Sequence, residues 1–252
     1  MIGIEDHPEA RILRFDRPQA RNAMDTALLA QLLDALADTA ADPHIRCVVF
    51  AGAGGAFSAG ADLREQLDHA GSVRRMDLFC QVYEAVASYP KPTIAAIAGH
   101  CVGGGIEVAA ATDIRVADPT ASFRFPGATL GIAVGAAKLV GLVGLGTAKD
   151  LVLTSRTFDA QEAWRLGFVQ RLADTGEAVS LAREVAAEIG ANQVEAVAFL
   201  RRQFAAFTGL ADRVAAENDV LHALAESGGS YDAVTAPDPK TGRTPGIGSS
   251  SR

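Results

Sequence analysis

The stretch TIAAIAGHCVGGGIE occupies residues 93–107 and joins an uncharged apolar run to three consecutive glycines. Such an apolar run is typical of a strand buried on both faces, and the glycines allow close backbone approach at the start of a helix. Glu107 follows Gly104 by three residues, so on a helix it lies one turn along the same face. The stretch therefore predicts a strand, a glycine turn and a helix whose first turn carries a carboxylate.

A segment with the same pattern, an apolar run followed by a glycine-rich loop, lies upstream. The apolar run at residues 45–51 ends in the loop GAGGAFSAG, residues 52–60, and we expect a helix to begin at Ala61 or Asp62. The first amides of such a helix have no intrahelical acceptor and attract oxyanions, although an ordinary strand-to-helix connection would show the same pattern. Because strand, glycine loop and helix recur in the same order, the two segments predict successive turns of one αβ superhelix.

The rest of the chain alternates strand and helix patterns. Asp25 is a suitable N-cap for the first helix, and a tail rich in Pro, Gly and Ser is predicted to be disordered because it lacks a periodic apolar face. The predicted strands are residues 10–16, 45–51, 93–98, 113–117 and 121–125, the predicted helices are 27–40 and 73–88, the region 139–226 is mainly helical, and the tail is 235–252.

The composition of the chain limits the kinds of molecule that it could bind. The chain has 252 residues and a net charge of −7, which suits one domain with a small appendage and argues against nucleic acid or an anionic membrane. Three cysteines without close spacing indicate buried, reduced thiols in a cytoplasmic protein and no metal site. The glycine runs lack the spacing and the acidic residue of a dinucleotide site, and residues 141–146 lack the lysine of a P-loop.

Taken together, these segments resemble the crotonase, or enoyl-CoA hydratase/isomerase, superfamily. The resemblance is carried by FDRPQARNAM at residues 15–24, by residues 57–63, by residues 99–107 and by a later helix pair at 153–169. It implies an α/β fold of the crotonase type, a spiral ββα superhelix with a helical C-terminal region. The implied divisions are a core at 1–190, a helical trimerisation region at 191–234 and the disordered tail at 235–252.

The resemblance also implies a function. The substrate would be an acyl-CoA or enoyl-CoA thioester, no separate cofactor would be needed, and the chain would form a homotrimer or a dimer of trimers. The amides of Ala61 and Gly104 would hold the thioester oxygen, where the charge of an enolate collects, and Glu107 would be the acid/base. A carboxylate in a first helical turn also stabilises the helix dipole without doing chemistry. The implied CoA-binding residues are Arg21, Ala23, Ala59, Gly60, Ala61, Asp62 and Gly104.

One departure from the family pattern bears on the activity. Hydratases of this family place a second glutamate in a downstream segment that here reads PGATLG, residues 126–131, with Gly127 in the glutamate position. A positioned acid or base contributes about 10² to 10⁴ in rate, so hydration should be slow. Three hypotheses stay open: an enzyme with Glu107 as its single acid/base, a non-catalytic acyl-CoA binder, and an assembly protein whose glycine loops only pack.

Four side chains are candidates to replace the missing glutamate: Glu65, His100, Cys101 and Arg124. For each we expect a structural role instead: His100 and Cys101 buried in the turn, Arg124 paired at the surface or with an acid, and Glu65 facing solvent. Lys138 is expected to be solvated or, alternatively, to contact a phosphate.

Overall fold

The computed structural model describes residues 1–229, and the predicted tail at 235–252 lies outside them. Among the described residues no helix is long and apolar enough to cross a membrane. The strands are β1 (Ile2–Asp6), β2 (Arg11–Phe15), β3 (Val48–Gly52), β4 (Thr93–Ile97), β5 (His100–Val102), β6 (Ile114–Ala117), β7 (Ser122–Arg124), β8 (Phe158–Asp159) and β9 (Arg171–Leu172).

Helices cover both sides of these strands and form most of the C-terminal region. Two short 3₁₀ segments, Pro18–Ala20 and Gly127–Leu130, lie in loops. The α-helices are α1 (Thr26–Ala41), α2 (His69–Ala87), α3 (Gly104–Ala111), α4 (Ala136–Val143), α5 (Leu145–Thr154), α6 (Ala160–Arg165), α7 (Ala178–Gly190), α8 (Val194–Thr208) and α9 (Leu210–Glu226).

The strands form two sheets that the chain visits in turn. The larger sheet has the order β1-β2-β3-β4-β6-β9 and is parallel except for β1, which pairs antiparallel with β2. The smaller sheet has the order β5-β7-β8, with β5 parallel to β7. Since β4 leads into β5 and β6 leads into β7, each turn adds one strand to each sheet and then a helix. The predicted ββα superhelix is confirmed.

The large sheet is buried on both faces because its central strands are apolar throughout. Every residue of β4 is buried. In β3, Val49 packs toward α7 with Ala182 and Val185, whereas the next residue, Phe50, packs toward the other side with α1 and α2. Alternate side chains of a strand point to opposite faces, so a continuous apolar run supplies both layers of the core.

Local signals set several helix ends. Asp25 caps α1 as predicted, because its side chain accepts a hydrogen bond from the amide of Leu28 at 2.8 Å. At the far end of α3, the buried guanidinium of Arg115 donates to the carbonyls of Thr112, at 2.7 Å, and of Ala109. Burial lowers the pKa of Arg115 to about 10, so the group stays charged at neutral pH. Arg115 thus fixes the helix that carries Glu107.

The prediction of a helix at Ala61 or Asp62 is wrong. Ala61 lies in an extended bridge with Met24: the amide of Met24 donates to Gly60 at 2.7 Å and the amide of Asp62 donates to Met24 at 2.9 Å. This pairing holds the backbone extended, and the next helix, α2, begins at His69 after the cap Asp68. The region 139–226 is helical as predicted except for β8 and β9.

Candidate active site

A cavity of about 470 Å³ opens between the loop after β3, the start of α3, the loop after β7, and helices α2 and α9. Its wall is mainly apolar, and the titratable side chains on it are His69, Arg75 and Tyr83. Within residues 1–229, no aspartate or glutamate lines this cavity, and no cluster of His, Cys, Asp and Glu could hold a metal ion. The cavity therefore suits an apolar ligand, with polar contacts from the backbone.

Two backbone amides lie on the wall of this one cavity, in loops that touch. Ala61 and Gly104 both line the cavity, and among the described residues neither amide has a hydrogen-bond acceptor. Their loops touch: a Cβ added to Gly60, whose φ is +87°, would lie 2.9 Å from the nitrogen of Gly104 and 2.8 Å from the carbonyl oxygen of Val102. The two segments that the sequence predicted to meet at one site do meet.

Ser58 holds the first loop against the second in a short strand-like pairing. Its amide donates to His100, and the amide of Val102 donates back to Ser58, each at 2.9 Å. The hydroxyl of Ser58 donates to the carbonyl of Asn22 at 2.8 Å and accepts from the amide of Gly60 at 3.1 Å. The position of the Ala61 amide is therefore set by the pairing between the loops.

Asn22 fixes the other end of this loop, a role that the sequence analysis did not identify. Its side-chain amide is fully buried and donates to the carbonyls of Ala53 at 2.8 Å and Ala56 at 2.6 Å. An asparagine after an arginine in a turn sequence is a weak signal by itself, because many surface loops contain one. Its buried partners come from residues more than thirty positions away, so only the folded chain shows them.

The predicted CoA-binding residues fall into two groups. Ala59 lies on the cavity wall with Ala61 and Gly104, and exposed Arg21 is adjacent because its carbonyl accepts from the amide of Ala59. Ala23, Gly60 and Asp62 are buried and do not line the cavity. The second group supports the loop, and CoA binding stays a prediction for the residues of both groups.

The carboxylate of Asp62 belongs to an ion-pair cluster. It contacts Arg17 at 2.9 Å and Arg64 at 3.3 Å. Burial raises the pKa of Asp62, but the hydrogen bonds from Arg64 and Arg17 outweigh burial and hold it below its ordinary value. The charge of Asp62 is thus already compensated within the chain.

Glu107 lies in a buried cluster of charges next to the cavity. Its Oε2 is 3.0 Å from the Nζ of Lys138, which in turn lies 2.6 Å from Oε1 of Glu217. The Tyr83 ring, whose centroid is 4.8 Å from Nζ, contacts this ammonium and also lines the cavity. The Oε1 of Glu107 lies toward Gly135, where an added Cβ would come within 3.0 Å of it. The carboxylate is therefore one layer of residues behind the cavity wall.

Burial dominates the ionisation of this cluster. It raises the pKa of Glu107 to about 7, against the attraction of Lys138 and together with the repulsion of Glu217. Burial alone would lower the pKa of Lys138, but the two carboxylates outweigh it and the net shift is upward. Burial and the charge of Glu107 raise the pKa of Tyr83 well above its ordinary value. Near neutral pH, Lys138 is charged, Tyr83 is neutral and Glu107 can gain or lose a proton.

The expectations for Lys138 and His100 are wrong. The side chain of Lys138 has an exposed fraction of 0% and is neither solvated nor free to meet a phosphate; its position in the apolar sequence GAAKLVG, 135–141, is the signal that was missed. His100 is exposed, because the short strand that holds it lies at the surface of the turn.

The remaining three groups have structural partners. Cys101 is buried as predicted, and its strand packs into the main core. Arg124 donates to the carbonyl of Ser155 at 2.8 Å. The expectation that Glu65 faces solvent is also wrong, because its partly buried carboxylate accepts from the amide of Thr26 at 3.1 Å and pairs with Arg75 at 3.3 Å.

Gly127 lies on the cavity wall inside a tight loop. A Cβ at this position would be 2.5 Å from the carbonyl oxygen of Ile132 and 3.1 Å from the side chain of Val134. The first distance is shorter than real Cβ contacts, so a glutamate could not be added without moving the backbone. The second carboxylate is absent, and the space that a Cβ would need at this position is closed.

A ββα spiral with two unpaired amides beside an apolar cavity is the arrangement expected for the crotonase superfamily. Comparison with known proteins gives the same answer: the chain belongs to the enoyl-CoA hydratase/isomerase family, whose profile matches residues 10–230. The chain is 32% identical over 200 residues to a short-chain-enoyl-CoA hydratase of Clostridium acetobutylicum, covering 77% of each chain.

Comparison with solved structures supports the same family. The fold is similar to an enoyl-CoA hydratase/isomerase from Xanthobacter autotrophicus, with a TM-score of 0.83, 27% identity and coverage of 92% of this chain and 89% of that one. It is also similar to an enoyl-CoA hydratase from Bacillus anthracis, with a TM-score of 0.78, 31% identity and coverage of 81% and 82% respectively. The predicted family and fold class are confirmed.

Proposed function

We propose that this protein acts on an acyl-CoA or enoyl-CoA thioester through an enolate whose oxygen is held by the amides of Ala61 and Gly104. The main supporting observation is that both residues line one apolar cavity in loops that touch, and that neither amide has an acceptor within residues 1–229. A preorganised donor aimed at a developing oxyanion stabilises the transition state by about 3 kcal/mol. Two such donors are a sufficient reason to bind a thioester carbonyl at this point.

We assign the acid/base role to Glu107. The same helix, α3, carries Gly104 and Glu107, so an oxygen held by the amide lies within one helical turn of the carboxylate. A pKa of about 7 gives Glu107 both protonation states near neutral pH, which is the range in which general acid/base catalysis is most effective. The reacting carbon would lie near Val134, the cavity residue next to Gly135.

A single carboxylate favours proton transfer over hydration. An isomerisation needs one group that removes a proton from one carbon and returns it to another, whereas hydration also needs a group to activate or protonate water. Gly127 leaves the second position without a carboxylate. We therefore expect isomerisation of an enoyl-CoA, or another rearrangement through its enolate, to be faster than hydration.

Turnover assays test the assignment. Wild type and Glu107→Gln would be compared on 2-enoyl-CoA and 3-enoyl-CoA thioesters of four to ten carbons, with Glu226→Gln as the control, because Glu226 lies exposed on α9. We expect the Glu107 variant to lose about 10² to 10⁴ in kcat and the control to keep wild-type rates. Equal rates for Glu107→Gln and wild type would remove Glu107 from the mechanism.

The second candidate function is a non-catalytic acyl-CoA binder. It is favoured by the closed loop at Gly127 and by the burial of Glu107 behind the cavity wall. Calorimetry with a panel of acyl-CoAs, combined with product analysis, separates the two functions. Saturable binding without any product would support the binder, and the absence of binding would contradict both functions and leave the assembly role.

We also propose that the chain forms a homotrimer or a dimer of trimers. Helix α8 buries none of its residues, and its surface includes Phe199, Phe204 and Phe207, with exposed fractions of 53%, 65% and 81%. Apolar side chains this exposed are typical of an interface. Light scattering should show three or six copies, Phe207→Ser should shift the distribution toward monomer, and a monomeric wild type would contradict the proposal.

The cellular setting is part of the proposal. A net charge of −7 supports the absence of nucleic-acid or membrane partners, and three buried, unpaired cysteines support a reducing cytoplasm.

A further inference from the structure

Three helices bring together three charged side chains beside the cavity. Glu107 comes from α3, Lys138 from α4 and Glu217 from α9, and their side chains have exposed fractions of 2%, 0% and 8%. The ammonium is shared by two carboxylates, so the cluster has one negative charge in excess when both are ionised. Buried charge of one sign is costly, and the cluster relieves that cost by taking up one proton.

The geometry shows which carboxylate takes the proton. Oε1 of Glu217 accepts from Lys138 at 2.6 Å, and Oε2 of Glu217 accepts from the amide of Ala137 at 3.0 Å. The Oε2 of Glu107 lies 3.0 Å from Lys138 without the alignment of a hydrogen bond. Hydrogen bonds to a carboxylate favour its charged form. Two hydrogen bonds thus hold the Glu217 carboxylate in place, and Glu107 is the carboxylate that can change state.

We propose that Lys138 and Glu217 are positioning residues that together set the ionisation of Glu107. Lys138 lets a fully buried Glu107 carry a negative charge, so that it can act as a base. Glu217 holds the ammonium in place and, by its own charge, lets Glu107 accept a proton again. This inference rests on the proposed function and deepens it, because it says how one carboxylate serves as both base and acid.

The other groups around Glu107 do not supply this control. Burial raises the pKa of Tyr83 and Cys80 on α2 and of Cys101 on β5, so all three are neutral near pH 7. Glu84 on α2 accepts a hydrogen bond at 3.0 Å from Asn218 on α9. Lys138 is then the charged group in contact with Glu107, and Glu217 contacts Lys138 and acts on Glu107 through its charge.

The placement of Glu217 links the acid/base group to the C-terminal helix. Helix α9 also supplies Leu221 and Leu224 to the cavity wall. The docking of α9 therefore both closes the cavity and delivers the second carboxylate. A protein with α9 displaced would keep the two amides of the site but lose the balance of charges around Glu107.

The two positioning residues have opposite expected effects, which gives a direct test. The carboxyl titration of Glu107 would be followed by ¹³C NMR on full-length protein labelled at the glutamate carboxyl carbon, with its signal assigned from Glu107→Gln. Lys138→Met should move the midpoint up by at least about one pH unit, because the attracting charge is lost. Glu217→Gln should move it down, because the repelling charge is lost.

Matched controls exclude a general structural effect. Lys149→Met and Glu226→Gln remove the same charges from exposed positions and should leave the midpoint where it is. Should Lys138→Met fail to fold, Glu217→Gln, which has nearly the same shape, decides the matter by itself. Shifts in the same direction, or no shift in Glu217→Gln, would overturn the inference.

Turnover separates this inference from the proposed function. In an active enzyme the pH profile of kcat should move with the NMR midpoint in both variants, while KM changes little. Opposite NMR shifts in a protein without turnover would support the charge assignment and contradict the proposed function. If both variants are active and their kcat has the same pH profile as wild type, the inference is contradicted and the proposed function stands.

Discussion

Gly60→Ala should separate the two amides of the site. Gly60 has a φ of +87°, and an added Cβ would lie 2.9 Å from the nitrogen of Gly104, whereas ordinary contacts begin at 3.4 Å. The start of α3 must therefore move by about 0.5 Å, or the Ala61 loop must move away from it. Misplacement of a reacting group by about 1 Å costs roughly 10² in rate, and loss of one oxyanion donor costs about 10² to 10³.

Gly55→Ala is the matched control in the same loop. Gly55 has a φ of +76°, but an added Cβ would find nothing within 4 Å. Both variants should lose about 1 to 2 kcal/mol of unfolding free energy from the left-handed backbone, with about 1 to 3 kcal/mol more for Gly60→Ala from the close contact. Only Gly60→Ala should lose activity or acyl-CoA affinity.

Urea denaturation, enoyl-CoA turnover and acyl-CoA calorimetry on both variants supply the comparison. We expect kcat/KM to fall about 10²-fold in Gly60→Ala and to stay within about twofold of wild type in Gly55→Ala. If both variants bind and turn over like wild type, then the close approach of the two loops does not form the ligand site.

Three further predictions concern the supports of the site. Gly127→Glu should not restore hydration and should destabilise the fold by about 1 to 3 kcal/mol, because the new Cβ meets a carbonyl oxygen at 2.5 Å; an increase in hydration rate would contradict this. Asn22→Ala leaves one buried and one partly buried carbonyl unpaired and should lower the free energy of unfolding by about 1 to 3 kcal/mol in urea denaturation, with weaker acyl-CoA binding. Folding raises the pKa of Glu107 from 4.5 to about 7, so the free energy of unfolding should fall as the pH rises through that range. Glu107→Gln should flatten this pH dependence. An unchanged slope in the variant would show that another group causes it.

Much of the fold could be predicted because local patterns and tertiary contacts agree. The run VVFA in β3 and the whole of β4 are apolar because both faces of the sheet are covered, and Asp25 caps the helix that its sequence position predicts. The three buried cysteines and the meeting of the two glycine loops also follow from the sequence. For the strands and the helix cap, the chemical cause lies within a few residues of its effect, whereas the meeting of the loops follows from the repeated order of strand, glycine loop and helix.

The wrong predictions concern residues whose conformation or burial is set by a contact with a residue distant in sequence. Ala61 follows a glycine loop that looks like a helix start, yet pairing with Met24 keeps it extended. Lys138 looks like a solvated lysine, yet two carboxylates from other helices hold it in the core. Neither partner is near in sequence, so no local pattern could indicate it.

The sequence by itself determined the family, the ββα spiral, the two candidate amides and the loss of a second glutamate at residue 127. These depend on short segments whose composition fixes how they fold. Only the tertiary structure decided that Glu107 is buried against Lys138 and Glu217, that Asn22 holds the loop, and that the space beside Gly127 is closed. Ionisation and steric room depend on which groups the fold brings within a few ångströms, and here those groups come from separate helices and loops.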